Sequence, residues 1–421
     1  MNKEVLKKII IESQEFIQTV GLINRQITID ENANYVFVGQ RRTGKTYFMF
    51  QLIRELIRKK KINIERVLYI NFEDERLLEF HFNDFDRLIE SYRELFRQVP
   101  VCFFDEIQNI KGWEKFARRL SDQNFKVYIT GSNATMLSRE ISTVLGGRFM
   151  VKEIFGLSFH EYLSFHGVIP ESNFQFKEQR FEIQKLFNDY LYFGALPEVN
   201  KFENKKEYLS NIFEKVFYGD IVARHHIKND FGLKLLVKKI AESTMDETSF
   251  NRLKNIIKSS GIGIGTQTLI EYFGYLNDAY LIFNIGNYNS KFVERETSRK
   301  FYFSDTGVLS LFLFNPESML LETLVYNHLR RIYGEDVYYY RDNSEVDFYL
   351  PGKAMIQVAF SLHKDQTMKR ELDGLQKASE KVESEEFKII TMSEEEVLNY
   401  KDLKIEIIPA WKWLLSGYLS H

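Results

Sequence analysis

The residues with the clearest chemistry in this chain are Gly39-Gln40-Arg41-Arg42-Thr43-Gly44-Lys45-Thr46. They follow the apolar run Tyr35-Val36-Phe37-Val38 and open a helix-period stretch that extends to about Lys60. Glycines at both ends let the backbone wrap around an anion. Successive N–H groups and a helix N-terminus offer partial positive charge to phosphate oxygens. In this setting Gly39, Gln40, Arg41, Arg42, Thr43 and Gly44 form the cradle. Lys45 reaches the β- and γ-phosphates of a nucleoside triphosphate, and the Thr46 hydroxyl ligates Mg²⁺. The expected ligands are therefore ATP and Mg²⁺.

A second cluster, Val101-Cys102-Phe103-Phe104-Asp105-Glu106, describes a buried strand that ends in two acids. Strand tips of this kind emerge at the ligand crevice of an open α/β sheet. Asp105 is expected to hold Mg²⁺ with Thr46, and Glu106 to orient or deprotonate the attacking water. A third strand ends Val127-Tyr128-Ile129-Thr130-Gly131-Ser132-Asn133. Ser132 and Asn133 are the polar residues expected beside a γ-phosphate, the alternative being a simple turn. Further on, Arg148 is either a cation directed at the nucleotide, from its own chain or a neighbouring subunit, or half of a structural ion pair.

The elements that must position these groups alternate. An amphipathic helix covers residues 3–20, followed by β-like runs at Gln26–Ile29 and Tyr35–Val38. Strands at Arg66–Asn71, Val101–Phe104 and Phe125–Thr130 then alternate with helical stretches at Lys45–Lys60, Asn83–Gln98 and Trp113–Leu120. That order predicts a parallel sheet covered on both faces. A formal net charge of −2 argues against nucleic-acid binding over the whole surface and leaves room for a local basic patch. The single cysteine, Cys102, rules out an intrachain disulfide and a cysteine zinc cluster. No run reaches the ~18 apolar residues of a membrane helix, and Glu4, Lys7 and Lys8 interrupt the N-terminal apolar stretch, so cytoplasmic residence is expected.

Taken together, GQRRTGKT, YINFEDERL (69–77), FFDEIQNIKGWEKF (103–116) and YITGSNATMLSREISTVLGGR (128–148) resemble the bacterial and archaeal AAA-superfamily ATPases. The likeness continues through FGLSFHEYL (155–163) and YLYFGALPEV (190–199). It implies ATP binding and slow hydrolysis.

Four domains are expected: an ATPase domain at 1–155, a helical lid or linker at 156–230, a winged-helix-like domain at 231–305 and a nuclease-like domain at 306–421. The fold class is multidomain α/β. In the third domain, helices near 233–241, 249–259 and 266–276 precede a β-like ribbon, the order of a winged helix. Between Arg252 and Lys300 seven basic residues face four acids, so DNA contact through residues 249–300 stands beside a purely architectural role. A homo-oligomer or a protein partner is the other expectation, and no membrane is.

The last domain resembles the restriction-endonuclease fold, in which an acid and a following Glu-x-Lys coordinate Mg²⁺ and activate water. Asp347 stands where the first acid belongs and Glu322 lies on the preceding helix. Gln357 replaces the glutamate and Ala359 the lysine, so the site reads as vestigial, with Lys353 or Lys369 as outside candidates for the missing cation. His225 and His226, at adjacent helical positions, do not share a face and read as a helix surface rather than a metal site.

Overall fold

The computed structural model describes residues 1–131, 144–291 and 298–416. The chain divides into two compact units, Met1–Gly156 and Leu157–His421.

The first unit is built on five parallel strands in the order β2-β3-β4-β1-β5, with β1 at Asn34–Val38, β2 at Val67–Asn71, β3 at Val101–Asp105, β4 at Lys126–Thr130 and β5 at Phe149–Glu153. Among the described residues four α-helices accompany them: α1 (Lys3–Thr19), α2 (Lys45–Arg58), α3 (Asp84–Phe96) and α4 (Trp113–Asp122). The central strands are buried on both faces, which is why they read as unbroken apolar runs. Phe37, Tyr128 and Phe103 stack across β1, β4 and β3 with ring centroids 6.1 and 4.9 Å apart, and Phe48 of α2 meets Phe37 edge-on at 5.1 Å. Aromatic pairs of this geometry add about 0.5–1.5 kcal/mol each beyond their buried area. They fix the relative positions of the strands whose tips carry the chemistry. Helix α1 buries Leu6, Ile9, Ile10 and Ile17 and is tied to β2 by Gln14, whose Nε2 donates to the Val67 carbonyl at 2.8 Å.

Two expectations change in this unit. Gln26–Ile29 is not a strand, because β4 and β5 already occupy both sides of β1. The segment instead runs outside the sheet, where Ile27 and Ile29 pack on the core and the Arg25 backbone pairs with the Gln51 side chain in both directions, at 2.7 and 3.0 Å. Conversely, β5 gave no periodic signal. Met150 and Val151 are half exposed on this edge strand, yet it pairs with β1 along its whole length.

The second unit begins with helices at Phe159–Phe165, Gln179–Phe193 and Lys205–Glu214. The first is opened by a reciprocal capping box between Ser158 and Glu161. Helices Asp230–Glu242, Phe250–Ser259 and Thr266–Asp278 follow, with an antiparallel sheet of order β6-β8-β7 (Thr248–Ser249, Ser298–Phe303, Ile282–Gly286). Helix Glu317–Tyr333 leads into a six-stranded sheet of order β13-β14-β12-β11-β10-β9. Its strands are β9 (Tyr338–Arg341), β10 (Glu345–Leu350), β11 (Ala354–Ala359), β12 (Glu386–Thr391), β13 (Glu396–Tyr400) and β14 (Leu403–Pro409). From about residue 316 the sequence pattern predicts helix, three strands, helix, two strands, helix; the structure follows this order except that three strands stand in place of the two. The additional one, β13, is an outer strand with Glu396 and Val397 exposed, which blurs its alternation. Trp411, Trp413, Leu414 and Leu415 of the last helix are buried, as a core-packing role requires.

The turn that leaves β1 depends on one residue. Gly39 has φ +142°, and a Cβ there would lie 2.3 Å from the Ile154 carbonyl oxygen. Gly39→Ala should destabilise the first unit by about 1–3 kcal/mol. Urea unfolding measures this, with Gly21→Ala as the neutral control, since a Cβ at Gly21 meets nothing within 4 Å.

Candidate functional site

The C-terminal tips of β1, β3 and β4 form one edge of the first sheet. β4 lies between the other two, so Gly39–Thr46 and Asp105 flank Thr130. Gly44, at φ +93°, hands the chain to α2 and leaves the helix N-terminus open toward the loop, without a side-chain cap. Lys45 is buried, and its Nζ donates to the carbonyls of Gly39 at 2.9 Å and Gln40 at 3.0 Å. The Thr43 hydroxyl closes the loop on the Gln40 carbonyl at 2.9 Å.

Asp105 is the hub of this edge. Its Oδ2 accepts from the Thr46 hydroxyl at 2.7 Å and the Tyr69 hydroxyl at 2.8 Å, and its Oδ1 accepts from the Thr130 hydroxyl. Thr130 Oγ1 in turn accepts from the Glu106 backbone N–H at 3.0 Å. Asp105 is about 1% exposed. Burial holds its carboxyl above the usual carboxylate range, Glu106 adds to this, and the three hydroxyl donors oppose it. Burial, then Asp105 itself, pushes the Tyr69 phenol well above its ordinary value, so it stays a donor. Glu106 is buried with φ +50°, a left-handed backbone that non-glycine residues rarely adopt. Gln108 Nε2 donates to its carboxylate at 2.5 Å.

The donors presented here are a hydroxyl and a carboxylate oxygen 2.7 Å apart, beside a glycine-walled loop and a buried ammonium. Oxygen-only donors suit a hard divalent cation such as Mg²⁺. The residues therefore fit the nucleotide and ion that the sequence motifs imply.

Thr46, Lys45, Asp105 and Glu106 are brought together at this edge. Arg41 pairs with Glu73 at 3.0 Å, next to the tip of β2. Ser132 and Asn133 lie outside the described residues. Arg148 is at the other end of the sheet. It immediately precedes Phe149, the β5 residue paired with Asn34 at the start of β1, and its Nε bonds Asp122 at 2.6 Å. The strand of five residues between that end and the loop spans about 16 Å. Arg148 therefore does not reach the nucleotide edge of its own chain. Asp74 caps the turn at Glu75–Leu77 by accepting from the Arg76 N–H at 2.9 Å, a structural duty.

The motifs did not reveal several supporting residues. Thr130 and Tyr69 are polar-tipped residues within largely apolar strands, a signal that was available. Arg25 left no such trace. It is buried, and its guanidinium donates to the carbonyls of Thr43 at 2.9 Å, Phe155 at 2.8 Å and Gly156 at 3.1 Å, bracing the loop from behind.

In the second unit Glu322, Asp347 and Gln357 do converge, and the cation beside them is neither Lys353 nor Lys369. Lys353 lies over the Tyr333 ring at 5.0 Å and Lys369 is exposed. Lys300 of β8 occupies the centre. It is about 1% exposed, with Nζ 2.9 Å from Glu345 Oε1, 3.2 Å from Asp347 Oδ1 and 3.8 Å from Glu322 Oε1. Burial alone would depress its pKa, but Glu322, Asp347 and Glu345 outweigh that and keep it charged. Burial, then Asp347, pushes the Glu322 carboxyl up to about 8. The ring of His225 stacks on Tyr275 at 3.8 Å, and no group of acids, histidines and cysteines among the described residues is arranged to hold a metal ion. Among the described residues no helix is long and apolar enough to cross a membrane.

The raised Asp105 pKa has a stability consequence. The folded state holds that proton more tightly than the unfolded chain, so its contribution is present at low pH and is lost as pH rises through the elevated folded value. Once ionised, the buried carboxylate is a net cost to the nucleotide-free protein. Asp105→Asn, which keeps the hydroxyl partners, should raise the nucleotide-free Tm, by about 2–4 °C for each kcal/mol recovered, while abolishing Mg²⁺-dependent nucleotide retention. Differential scanning calorimetry with and without MgATP checks both.

Residues 31–163 match the family model of an AAA domain, and residues 184–318 match that of a domain of unknown function. An uncharacterized protein of Methanocaldococcus jannaschii is 34% identical over 434 aligned positions, covering 99% of this chain and 96% of that protein. An uncharacterized protein of Haemophilus influenzae is 29% identical, over 78% of this chain and 82% of its own. The solved Walker-type ATPase of Pyrococcus abyssi aligns over 74% of this chain and 95% of its own, at 12% identity and a TM-score of 0.42, a likeness too loose to bear weight. With identity of 34% from end to end, this chain belongs to the family of the M. jannaschii protein, and its N-terminal domain is that of an AAA-type P-loop ATPase.

Proposed function

We propose that the first unit binds MgATP and hydrolyses it, and that its nucleotide state governs how the second unit engages a macromolecular partner. The observation that carries this reading is the chain of short hydrogen bonds from Thr46 through Asp105 to Thr130, next to the buried Lys45 ammonium. It links the phosphate loop to the tips of β3 and β4.

In this reading the Lys45 ammonium, now held by two loop carbonyls, exchanges them for β- and γ-phosphate oxygens. Thr46 and Asp105 would hold the Mg²⁺, which supplies charge neutralisation to the polyphosphate when bound. Glu106 takes the proton of the attacking water. Its carboxylate accepts from Gln108, and release of that bond frees it to act. Ser132 and Asn133 remain proposed sensors of the γ-phosphate. Arg148, at the far end of its own sheet, is proposed only as a residue acting on a neighbouring copy.

The partner is proposed to be nucleic acid, contacted through residues 249–300. Arg252, Lys258 and Lys291 are exposed there. The burial of Lys300 removes one of the seven cations from that surface and leaves six against four acids. This loss favours a second reading, a nucleotide-gated scaffold for a protein partner. The second unit is proposed to be a winged-helix module followed by a nuclease-like module without nuclease activity, since Gln357 and Ala359 stand where an acid and a lysine would be needed.

Two variants separate binding from turnover. Lys45→Ala should lose MgATP binding in calorimetry. Glu106→Gln should retain binding and lose at least about 10²-fold in phosphate release, the scale of a lost general base. Parental turnover in Glu106→Gln would remove Glu106 from the mechanism. For the partner, duplex retention should weaken steeply between 50 and 200 mM salt, roughly as ~0.9 per phosphate contact on a log–log scale. No retention even at low salt would leave the protein-scaffold reading.

A further inference from the structure

The second unit contains a buried charge cluster that the nucleotide reading does not use. Lys300 is delivered by β8, of the three-stranded sheet, into acids carried by β10 and by the helix Glu317–Tyr333. The acids are held by their own network. Asp347 Oδ2 accepts from the Val358 N–H at 2.9 Å, while its Oδ1 faces the ammonium at 3.2 Å. Gln357 is engaged at both ends, accepting from the Asp347 N–H at 2.9 Å and donating to the Glu345 carbonyl at 2.9 Å. Glu322 Oε1 accepts from the Tyr302 hydroxyl at 2.7 Å, and its buried Oε2 has no hydrogen-bond partner. Glu371 is buried beside this group and is matched by Arg370 at 2.5 Å.

We propose that the Lys300 ammonium takes the electrostatic place of a divalent cation in this cluster, so that the site is complete without metal and locks β8 to the six-stranded sheet. Three features carry this. The ammonium sits within 3.8 Å of three carboxylates from two separate elements, a position that a metal ion would otherwise have to neutralise. Both Asp347 oxygens are already engaged, and Gln357, in the position that would need a charged ligand, is neutral and satisfied within the protein. An ammonium fixed there also repels a second cation, because Lys300 and Glu322 are about 1% exposed and like charges beside them are poorly screened. The lock joins two sheets through charges that neither sheet neutralises alone. Removing Lys300 alone leaves all three carboxylates without their cation, whereas removing Asp347 with it also takes away one of the charges it faced.

The test uses the full chain without nucleotide, titrated with Mn²⁺ and followed by thermal unfolding and by the paramagnetic resonance signal of free Mn²⁺. The parent should bind no Mn²⁺ through Asp347, so parent and Asp347→Asn give the same binding curve. Lys300→Met should lose stability and gain one Mn²⁺ site, raising its Tm in Mn²⁺ by several degrees, and Lys300→Met with Asp347→Asn should lose that gain. If Lys300→Met does not accumulate as folded protein, the double variant keeps the question answerable. It should be at least as stable as Asp347→Asn alone if the two charges neutralise each other. Asp347-dependent Mn²⁺ binding by the parent overturns the proposal, as does a Lys300→Met variant that Mn²⁺ does not stabilise. Additive losses in the double variant overturn it too.

Discussion

A carboxylate held almost without exposure, and without a cation partner among the described residues, is the constraint on which the first unit turns. Asp105 is met instead by three hydroxyls: Thr46 at the head of α2, Tyr69 in β2 and Thr130 at the tip of β4. Hydroxyls stabilise a buried anion less than a cation would, and the carboxyl remains above its usual range. The arrangement stores a demand for positive charge at the point where the phosphate loop begins. Because the donors belong to three different elements, any change at Asp105 is felt by the loop and by both neighbouring strands. An ATPase needs this kind of edge: its ion site is coupled to the backbone that must register the state of the nucleotide.

The loop itself is held from two sides. Lys45 folds onto the loop carbonyls from the nucleotide side, and Arg25 braces it from behind through Thr43, Phe155 and Gly156. Hydrogen bonds from charged donors to buried carbonyls are worth about 1.5–3 kcal/mol each, so Arg25 is a substantial part of the loop's rigidity. Gly39 must pass within a Cβ's width of the Ile154 carbonyl. The backbone of the phosphate cradle is therefore braced by contacts within the protein, which lowers the ordering cost of binding.

The second unit solves the problem of buried carboxylates differently. There a fully buried lysine is brought in from another sheet and offsets part of the acids' charge from within the protein. One site is left short of a cation and the other is supplied with one. That contrast separates an edge built to take up a charged ligand from one built to hold two sheets together. It also accounts for Gln357 and Ala359. With Lys300 in place, a second acid and a second lysine on β11 would add charges that the buried cluster could not absorb.

The phosphate-loop residues were legible because their chemistry is local. Gly39 to Thr46 act through consecutive backbone groups, and Asp105 and Glu106 announce themselves as acids ending an apolar strand. The strand and helix order was legible for a similar reason, since strands buried on both faces must be apolar throughout. The sequence alone did not determine which polar groups distant in the chain would meet. Arg25 reaches Phe155 across 130 positions and Lys300 reaches Asp347 across 47, and no local period encodes such pairs. Arg148 makes the same point in reverse, since a nucleotide-directed cation and half of an ion pair read alike in the sequence, and the parallel pairing of β5 with β1 set it at the opposite end of the sheet, beside Asp122. Local chemistry is written in neighbouring residues, whereas the partner of a buried charge is chosen by how strands pair and pack.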